Sequence, residues 1–405
     1  MSFTIALSGI NAASTDLNTI SNNIANANST GFKESRAEFG DFFQNAAYNL
    51  QTDATGGGVG TERIAQQFTQ GAITNTSNPL DLAISGEGFF TMKDNGSLVY
   101  TRNGAFTTDS NGFVVSATGQ RLQVYPPVGG SNNFSTGTLS DLQLSTAPNP
   151  PTATTNIVAG VNLPANATAP ADATFSPTDT NSYSQTTSTT IYDSLGAAHT
   201  SSLYFVAGAT AGSWTVHTVV DGSEVGTGTA LTFGSSGQLT TPADGKVALS
   251  LTPTDGAAPI SATLDLSTST QYGNTFAVNA LTPNGYATGQ LSGVAVDSNG
   301  VLSARYTNGQ TTVLGQVAMA NFANPQGLQQ LGNATWAQTF ASGSAIPGAA
   351  GASDFGTLQS GALESSNVDL TQQLVSMMNA QRNYQANSQV ISTDDQLMQT
   401  ILHLQ

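Results

Sequence analysis

Phe3-Thr-Ile-Ala-Leu-Ser-Gly-Ile-Asn-Ala-Ala-Ser-Thr-Asp-Leu-Asn-Thr-Ile-Ser-Asn-Asn-Ile-Ala-Asn-Ala27 stands almost at the head of the chain. Phe3, Ala6, Ile10, Ala13, Leu17, Ile20, Ile24 and Ala27 recur at alternating steps of three and four, an unbroken heptad seam. The spacing predicts a helix of ~37 Å at 1.5 Å per residue. Thr30-Gly31 is placed to close it, with glycine in the left-handed position after the last turn.

The other end of the chain answers with a second helix. Ser366-Asn367 is the expected cap, and Asp369 faces the positive end of the dipole in the first turn. Its apolar stripe runs Leu370, Leu374, Met377, Tyr384, Ile391, Met398, Leu402, interrupted by Gln381, Ser388 and Asp395. A second row, Val390, Leu397, Ile401 and Leu404, widens that face. Asp16 is the only ionic side chain in residues 1–32, where an ordinary solvated helix would carry Glu/Lys pairs. Helices this rich in Asn and Ser are weak alone. They are expected to be buried against neighbours, with Phe3, Ile10, Leu17, Ile20 and Ile24 of the first and Leu374, Met377, Tyr384, Ile391, Met398 and Leu402 of the second as assembly seams.

The 405 residues are enough for two or three cored domains. Charged residues make up 8%, against a usual quarter, and the net charge is −16. Scattered basic residues offer no stripe for phosphates, which excludes nucleic acid, and an anionic membrane surface would repel the chain. No run of 18 apolar residues exists for a membrane span, and the N-terminus lacks the basic region of a cleaved signal. Without cysteine there is neither disulfide framework nor thiolate metal site.

Between the helices the reading is β. Residues 71–145 and 284–340 hold six Asn-Gly dipeptides, at Asn95, Asn103, Asn111, Asn284, Asn299 and Asn308, each a two-residue hairpin candidate. Residues 146–283 use Asp-Gly instead (Asp221, Asp244, Asp255), are rich in Thr and Ser, and begin at a Pro-rich link, Ala147-Pro-Asn-Pro-Pro151. These shifts predict a mainly β protein with long terminal α-helices and nested, discontinuous domains. Residues 1–31 and 362–405 form an inner coiled-coil-like helical layer, and 32–70 form a partly irregular connector. Residues 71–145 and 284–361 form a first β domain, into which an outer β domain, 146–283, is inserted.

Catalytic constellations are missing. His199, His217 and His403 have no ligand-spaced partners, so no metal site is expected. Gly356–Gly361 and Gly86–Phe89 lack the Lys-Ser/Thr of a phosphate loop. Asp394 and Asp395 point about 100° apart on a helix, a poor acid/base couple. Neither a cofactor nor enzymatic activity is expected.

Three stretches carry a family resemblance. Ser8 to Lys33 resembles the N-terminal signature of flagellar axial proteins of the rod, hook and hook-filament junction. Thr76-Ser-Asn-Pro-Leu-Asp-Leu-Ala-Ile-Ser-Gly-Glu-Gly-Phe-Phe90 with Tyr100-Thr-Arg-Asn-Gly-Ala-Phe106 resembles that family's first β domain, and Ser366 to Asn387 its C-terminal signature. Rod proteins lack a large insertion. The one here, with Thr190-Ile-Tyr-Asp-Ser-Leu-Gly196, Ser202-Leu-Tyr-Phe-Val206 and Trp214 to Gly222, resembles the outer domain of hook subunits. A distal rod or junction protein is the nearest alternative, and a secreted β-rich adhesin a remoter one.

The resemblance implies an extracellular helical homopolymer, a curved tube that links rod to filament, transmits torque and encloses an export channel. Its implied partners are further copies of itself, rod and junction proteins, a hook cap during assembly and the export apparatus. In such a tube the ends would be disordered before assembly and helical after it. The polar row Gln372, Ser376, Asn379, Asn383 and Asn387 would line the channel. Gly56, Gly57 and Gly58, together with Pro148, Pro150 and Pro151, are the hinge candidates.

Overall fold

The computed structural model describes residues 2–42, 56–129, 133–145, 147–253, 256–352 and 354–403. The side chains of Ile401 and Leu402, all of Leu404, Asp255 and residues 43–55 of the expected connector lie outside the described residues.

Helix α1 spans Ser2–Ala25 and stops six residues short of Gly31. Asparagine ends it: Asn26 Nδ2 donates to the Asn22 carbonyl at 3.0 Å, competing with the helical ladder. Gly31 is left-handed (φ 68°) but serves another purpose. A Cβ there would lie 2.6 Å from the Asn103 backbone nitrogen, so the chain passes the β unit where only glycine fits. Helix α2 spans Leu370–His403. Its cap is Asp369, whose Oδ1 accepts from the Thr371 and Gln372 amides at 2.8 and 3.1 Å, rather than Ser366-Asn367.

The expected connector holds a ladder. Strands β1 (Ser35–Asp41) and β2 (Val59–Gln66) pair antiparallel, and Val59 N donates to Ser8 Oγ of α1 at 3.1 Å. Irregular sequence hid this pairing, because β1 and β2 bury only one residue each and do not alternate cleanly.

Two compact units divide the chain. The first takes residues 1–145, 293–305 and 311–405, so the terminal helices belong with the first β structure and do not stand apart from it. Its main sheet orders Thr311–Asn321, Arg121–Tyr125, Phe89–Asp94, Ser97–Thr101, Thr335–Ala337 and Gln329–Gly332. Alternation along the strand sends Phe90 into one buried cluster with Leu82, Ile84, Met92, Phe106 and Leu122, and Phe89 into another with Tyr100, Phe322 and Trp336. Of the six Asn-Gly dipeptides only Asn95-Gly96 has both residues at positive φ (47° and 93°), closing the hairpin between Phe89–Asp94 and Ser97–Thr101. Gly104 is instead demanded by crowding: a Cβ would sit 1.7 Å from the Leu82 carbonyl oxygen.

The second unit takes residues 146–292 and 306–310. It therefore reaches beyond 283 and recaptures a short later segment. One sheet centres on Asn156–Pro164 with Lys246–Leu251, Ile260–Asp265, Thr270–Tyr272 and Ala277–Pro283. The other orders Gln185–Tyr192, Ala198–Ala207, Ser213–Val220, Thr229–Phe233 and Leu239–Thr241. Ile157, Val161, Leu203, Phe205, Trp214, Leu231 and Leu264 from the two sheets share one core, a sandwich.

Candidate functional site: the helix pair and its buried anchor

Helices α1 and α2 run antiparallel in register. Asn23 Nδ2 donates to Gln373 Oε1 at 3.2 Å, and fourteen residues away on each helix a Cβ on Gly9 would lie 2.7 Å from the Asn387 side chain. Midway between these contacts, Asp16 falls opposite Ala380, and from Asp395 onward α2 overhangs the start of α1.

The seam between them is made of small residues and amides. Ala6, Ala13, Ile20 and Asn23 are buried on α1, and Gln373 and Ala380 on α2. Of the expected seam residues whose side chains are described, only Ile20 is buried; Ile10, Leu17, Ile24, Met377 and Ile391 are half-buried. Phe3 (44% exposed), Leu374 (53%), Tyr384 (41%) and Met398 (60%) stand largely in solvent. Helical geometry explains the split. The heptad carries two rows, and the Ala6–Ala13–Ile20 row packs inside while Phe3 does not. Leu370 and Leu374 lie roughly 100° round α2 from Ala380, and Met398 is on the overhang.

In the polar row, Gln372, Asn379 and Asn383 are exposed and Ser376 is half-buried. Asn387 departs from them and turns onto Gly9, because fifteen residues at 100° each rotate it about 60° from Gln372. Neither hinge candidate is a free segment. Gly57 N donates to the Phe42 carbonyl at 2.5 Å and Phe42 N to the Gly58 carbonyl at 2.9 Å, which extends the β1–β2 ladder. Asn149 exchanges backbone hydrogen bonds with Gly289 (2.7 and 3.2 Å), and Thr152 with Tyr286, so Pro148, Pro150 and Pro151 lie in a paired, extended segment. Proline is tolerated at the positions that donate no ladder bond.

Below the helix pair, three elements converge on a charged cluster that sequence reasoning missed. Lys33 Nζ donates to Glu364 Oε1 at 2.6 Å and to the Thr69 carbonyl at 2.7 Å. Arg102 Nη1 donates to Glu364 Oε2 at 3.2 Å, with its guanidinium 5.4 Å from the centre of the Phe89 ring. Gly71 N donates to Glu364 Oε1 and Gly31 N to the Glu364 carbonyl. The Lys33 and Glu364 side chains are 0% exposed. Burial holds the Lys33 and Arg102 pKa values below their usual ranges, and the Glu364 carboxylate opposes that in both. Lys33 follows α1 and Glu364 precedes α2, so the cluster ties both chain ends to the strand ending at Thr101.

A polar network completes the anchor. Asn23 pairs with the Ser35 backbone like a strand neighbour: its Nδ2 donates to Ser35 O at 2.7 Å and its Oδ1 accepts from Ser35 N at 2.9 Å. Gln373 Nε2 donates to Glu34 Oε1, Glu34 N donates to Asn367 Oδ1, and Asn367 Nδ2 reaches the Gln67 and Thr69 carbonyls. The signal for this anchor was available. In a chain with nine basic residues, Lys33 and Arg102 sit inside two of the family-like motifs.

Charge-poor terminal helices, tied back to a β unit whose chain is interrupted by a second β unit, define a class: axial proteins of the bacterial flagellum. The model "Flagella basal body rod protein" matches residues 3–33, and "Flagellar hook protein FlgE/F/G D1 domain" matches 83–174. "Flagellar basal body protein FlaE D2 domain" matches 162–286, and "Flagellar basal body rod FlgEFG protein C-terminal" matches 359–404. The flagellar hook protein FlgE of Escherichia coli is 40% identical over 414 residues, covering 100% of each chain, and that of Salmonella typhimurium is 39% identical over 421 residues, again 100% of each. The Rhizobium meliloti protein is 36% identical, covering 98% of this chain and 97% of its own. The crystal structure of Helicobacter pylori flagellar hook protein FlgE2 shares the fold at TM-score 0.53 and 14% identity, over 72% of this chain and 100% of that one. The chain belongs to the flagellar hook protein FlgE family, and its role is that of a structural subunit of the hook.

Proposed function

We propose that the subunit polymerises through its two terminal helices, which form the inner wall of a bending tube joining rod to filament. One observation carries this reading. The intramolecular seam uses Ala, Gly and amides, while Phe3, Ile5, Leu7, Leu374, Val375 and Met378 remain at least a third exposed. Covering a large apolar side chain is worth roughly 1.5–3 kcal/mol, about half of it still uncollected at half exposure. A single chain that leaves so many uncovered is built for neighbours.

Gln372, Ser376, Asn379 and Asn383 line the channel in this reading; uncharged amides and hydroxyls wet the lumen without gripping a passing unfolded chain. Rod and junction proteins continue the tube at its two ends, and a cap holds the growing end. The export apparatus delivers the subunit to the extracellular tip, a route that suits a chain without cysteine. Electron microscopy of the concentrated protein in salt tests the reading. Short tubes are expected from the full chain and none from a chain lacking residues 2–25; tubes from both overturn it.

A further inference from the structure

On the face of α2 turned away from α1, Leu374 (53% exposed), Val375 (49%) and Met378 (49%) form an apolar strip, which Arg382 closes four residues past Met378. Arg382 lies two residues beyond Ala380, the buried contact with α1, and is therefore rotated about 200° from α1. It is exposed, and no carboxylate reaches it among the described residues. Six other basic side chains, Lys33, Arg36, Lys93, Arg63, Arg102 and Arg121, do have a carboxylate within salt-bridge distance. Arg382 is also the only Lys or Arg of α2.

The complementary orphan is on α1. Asp16 is that helix's only ionic side chain and sits in the row Gly9, Asp16, Asn23 that meets α2. Opposite it lies Ala380, which offers no donor. Asp16 is half-buried and makes no ion pair or side-chain hydrogen bond among the described residues, and burial raises its pKa above the usual carboxylate range. A half-desolvated carboxylate without a partner is a cost to the single chain. One acid on one helix and one base on the other thus stand at the same level of the pair, facing different ways. They cannot meet within a subunit, but Asp16 is only half-buried where it meets α2 and so keeps an open side that Arg382 of a neighbour can reach.

We infer that the Leu374–Val375–Met378–Arg382 face of α2 receives α1 of a second copy, with Asp16 of that copy accepting hydrogen bonds from Arg382. The occupant is a second copy because the charges are complementary, the apolar strip stays uncovered in the single chain, and the family builds a polymer. This rests on the helix-mediated assembly proposed above, and it names the contact that sets how neighbouring helix pairs meet. A guanidinium facing the only carboxylate on an otherwise uncharged helix fixes register where Ala, Asn and Ser leave it weakly specified.

A charge swap tests it. Asp16→Lys and Arg382→Glu alone are each expected to raise the critical concentration for tube formation by roughly tenfold or more. The double variant is expected to recover most of that loss. If the double is no better than the worse single, the pair is wrong. If the unaltered chain forms no tubes, it is the assembly reading that fails, so the two failures are distinguishable. A second measurement covers variants that misfold. Since the chain has no cysteine, Asp16→Cys and Arg382→Cys chains can be mixed and treated with a short bis-maleimide after assembly. Cross-linked dimers are expected from the mixture and not from either chain alone; equal yields from the three samples overturn the inference.

Discussion

Replacing Glu364 with Gln removes the carboxylate that Lys33 and Arg102 both contact while keeping the side chain's shape. Two cations are then left buried without their partner, and breaking such a cluster costs about 3–5 kcal/mol. Urea unfolding of Glu364→Gln should therefore show a much lower midpoint at unchanged slope. Lys33→Met should cost less, because Glu364 keeps Arg102 and the Gly71 amide; equal losses would contradict this account of the anchor. In the second unit, His199 Nδ1 lies 2.6 Å from Asp221 Oδ2 and Nε2 lies 3.5 Å from Asp193 Oδ2. The hydrogen bond to Asp221 raises the His199 pKa against an opposing effect of burial, and that same bond lowers the Asp221 pKa. Because the folded His199 pKa lies above about 6.5, its contribution is complete below that pH and fades as pH rises through the folded value. Asp221 contributes above its unfolded value and fades as pH falls through its lowered one. Melting of this unit should thus occur at a higher temperature near pH 5.5 than at pH 8, and His199→Gln should flatten the difference. Such residue pairs were closed to sequence reading: 331 positions separate Lys33 from Glu364, so no spacing rule connects them. Asn95-Gly96 was legible because its two residues alone determine the turn.

Local chemistry explains which elements were readable. The two terminal helices follow from heptad periodicity, but their ends follow from single side chains, Asn26 at one and Asp369 at the other. The β1–β2 ladder had no periodic signal, since its register depends on α1 and on Ser8. The structure departs from the expectation of ends that order only on assembly. Both helices are present in the single chain, yet their firm contacts cluster around Asn23 and Gln373, where side-chain amides hold backbone and neighbour. Toward Phe3, and along α2 beyond Asn387, exposed side chains prevail. Amide exchange in the dilute subunit should accordingly be slow at 19–25 and 371–380 and fast at 3–10 and 392–400. Asn23→Ala should erase the protected zone, because Ser35 would lose partners for both its N–H and its carbonyl, a loss of roughly 1–3 kcal/mol per buried group. Uniform protection along α1 would contradict this gradient.

At the scale of the whole molecule, the first crossing between units, after residue 145, was legible as a change from Asn-Gly to Asp-Gly turns, although Asn284-Gly285 still lies within the second unit. The short return of residues 306–310 to the second unit was not, because five residues carry no compositional signature. Net charge then governs assembly. Copies carrying −16 each repel one another, and raising salt shortens the reach of that repulsion to about 10 Å at 0.1 M. Tubes should form faster in salt at neutral pH. Acidification toward the isoelectric point near 4.1 also removes repulsion, but it acts on the contact as well. Burial raises the Asp16 pKa in the single chain, so this carboxylate protonates ahead of ordinary aspartates and can no longer hold Arg382 of a neighbour. Salt and acid should therefore part company: at matched loss of repulsion, the acidified subunit needs a higher concentration to form tubes than the salted one. Asp16→Asn should remove the gap between the two conditions, because it has no carboxylate left to titrate. Sedimentation of polymer against pH and salt reads this out, and a gap that persists in Asp16→Asn would assign the acid effect to another carboxylate.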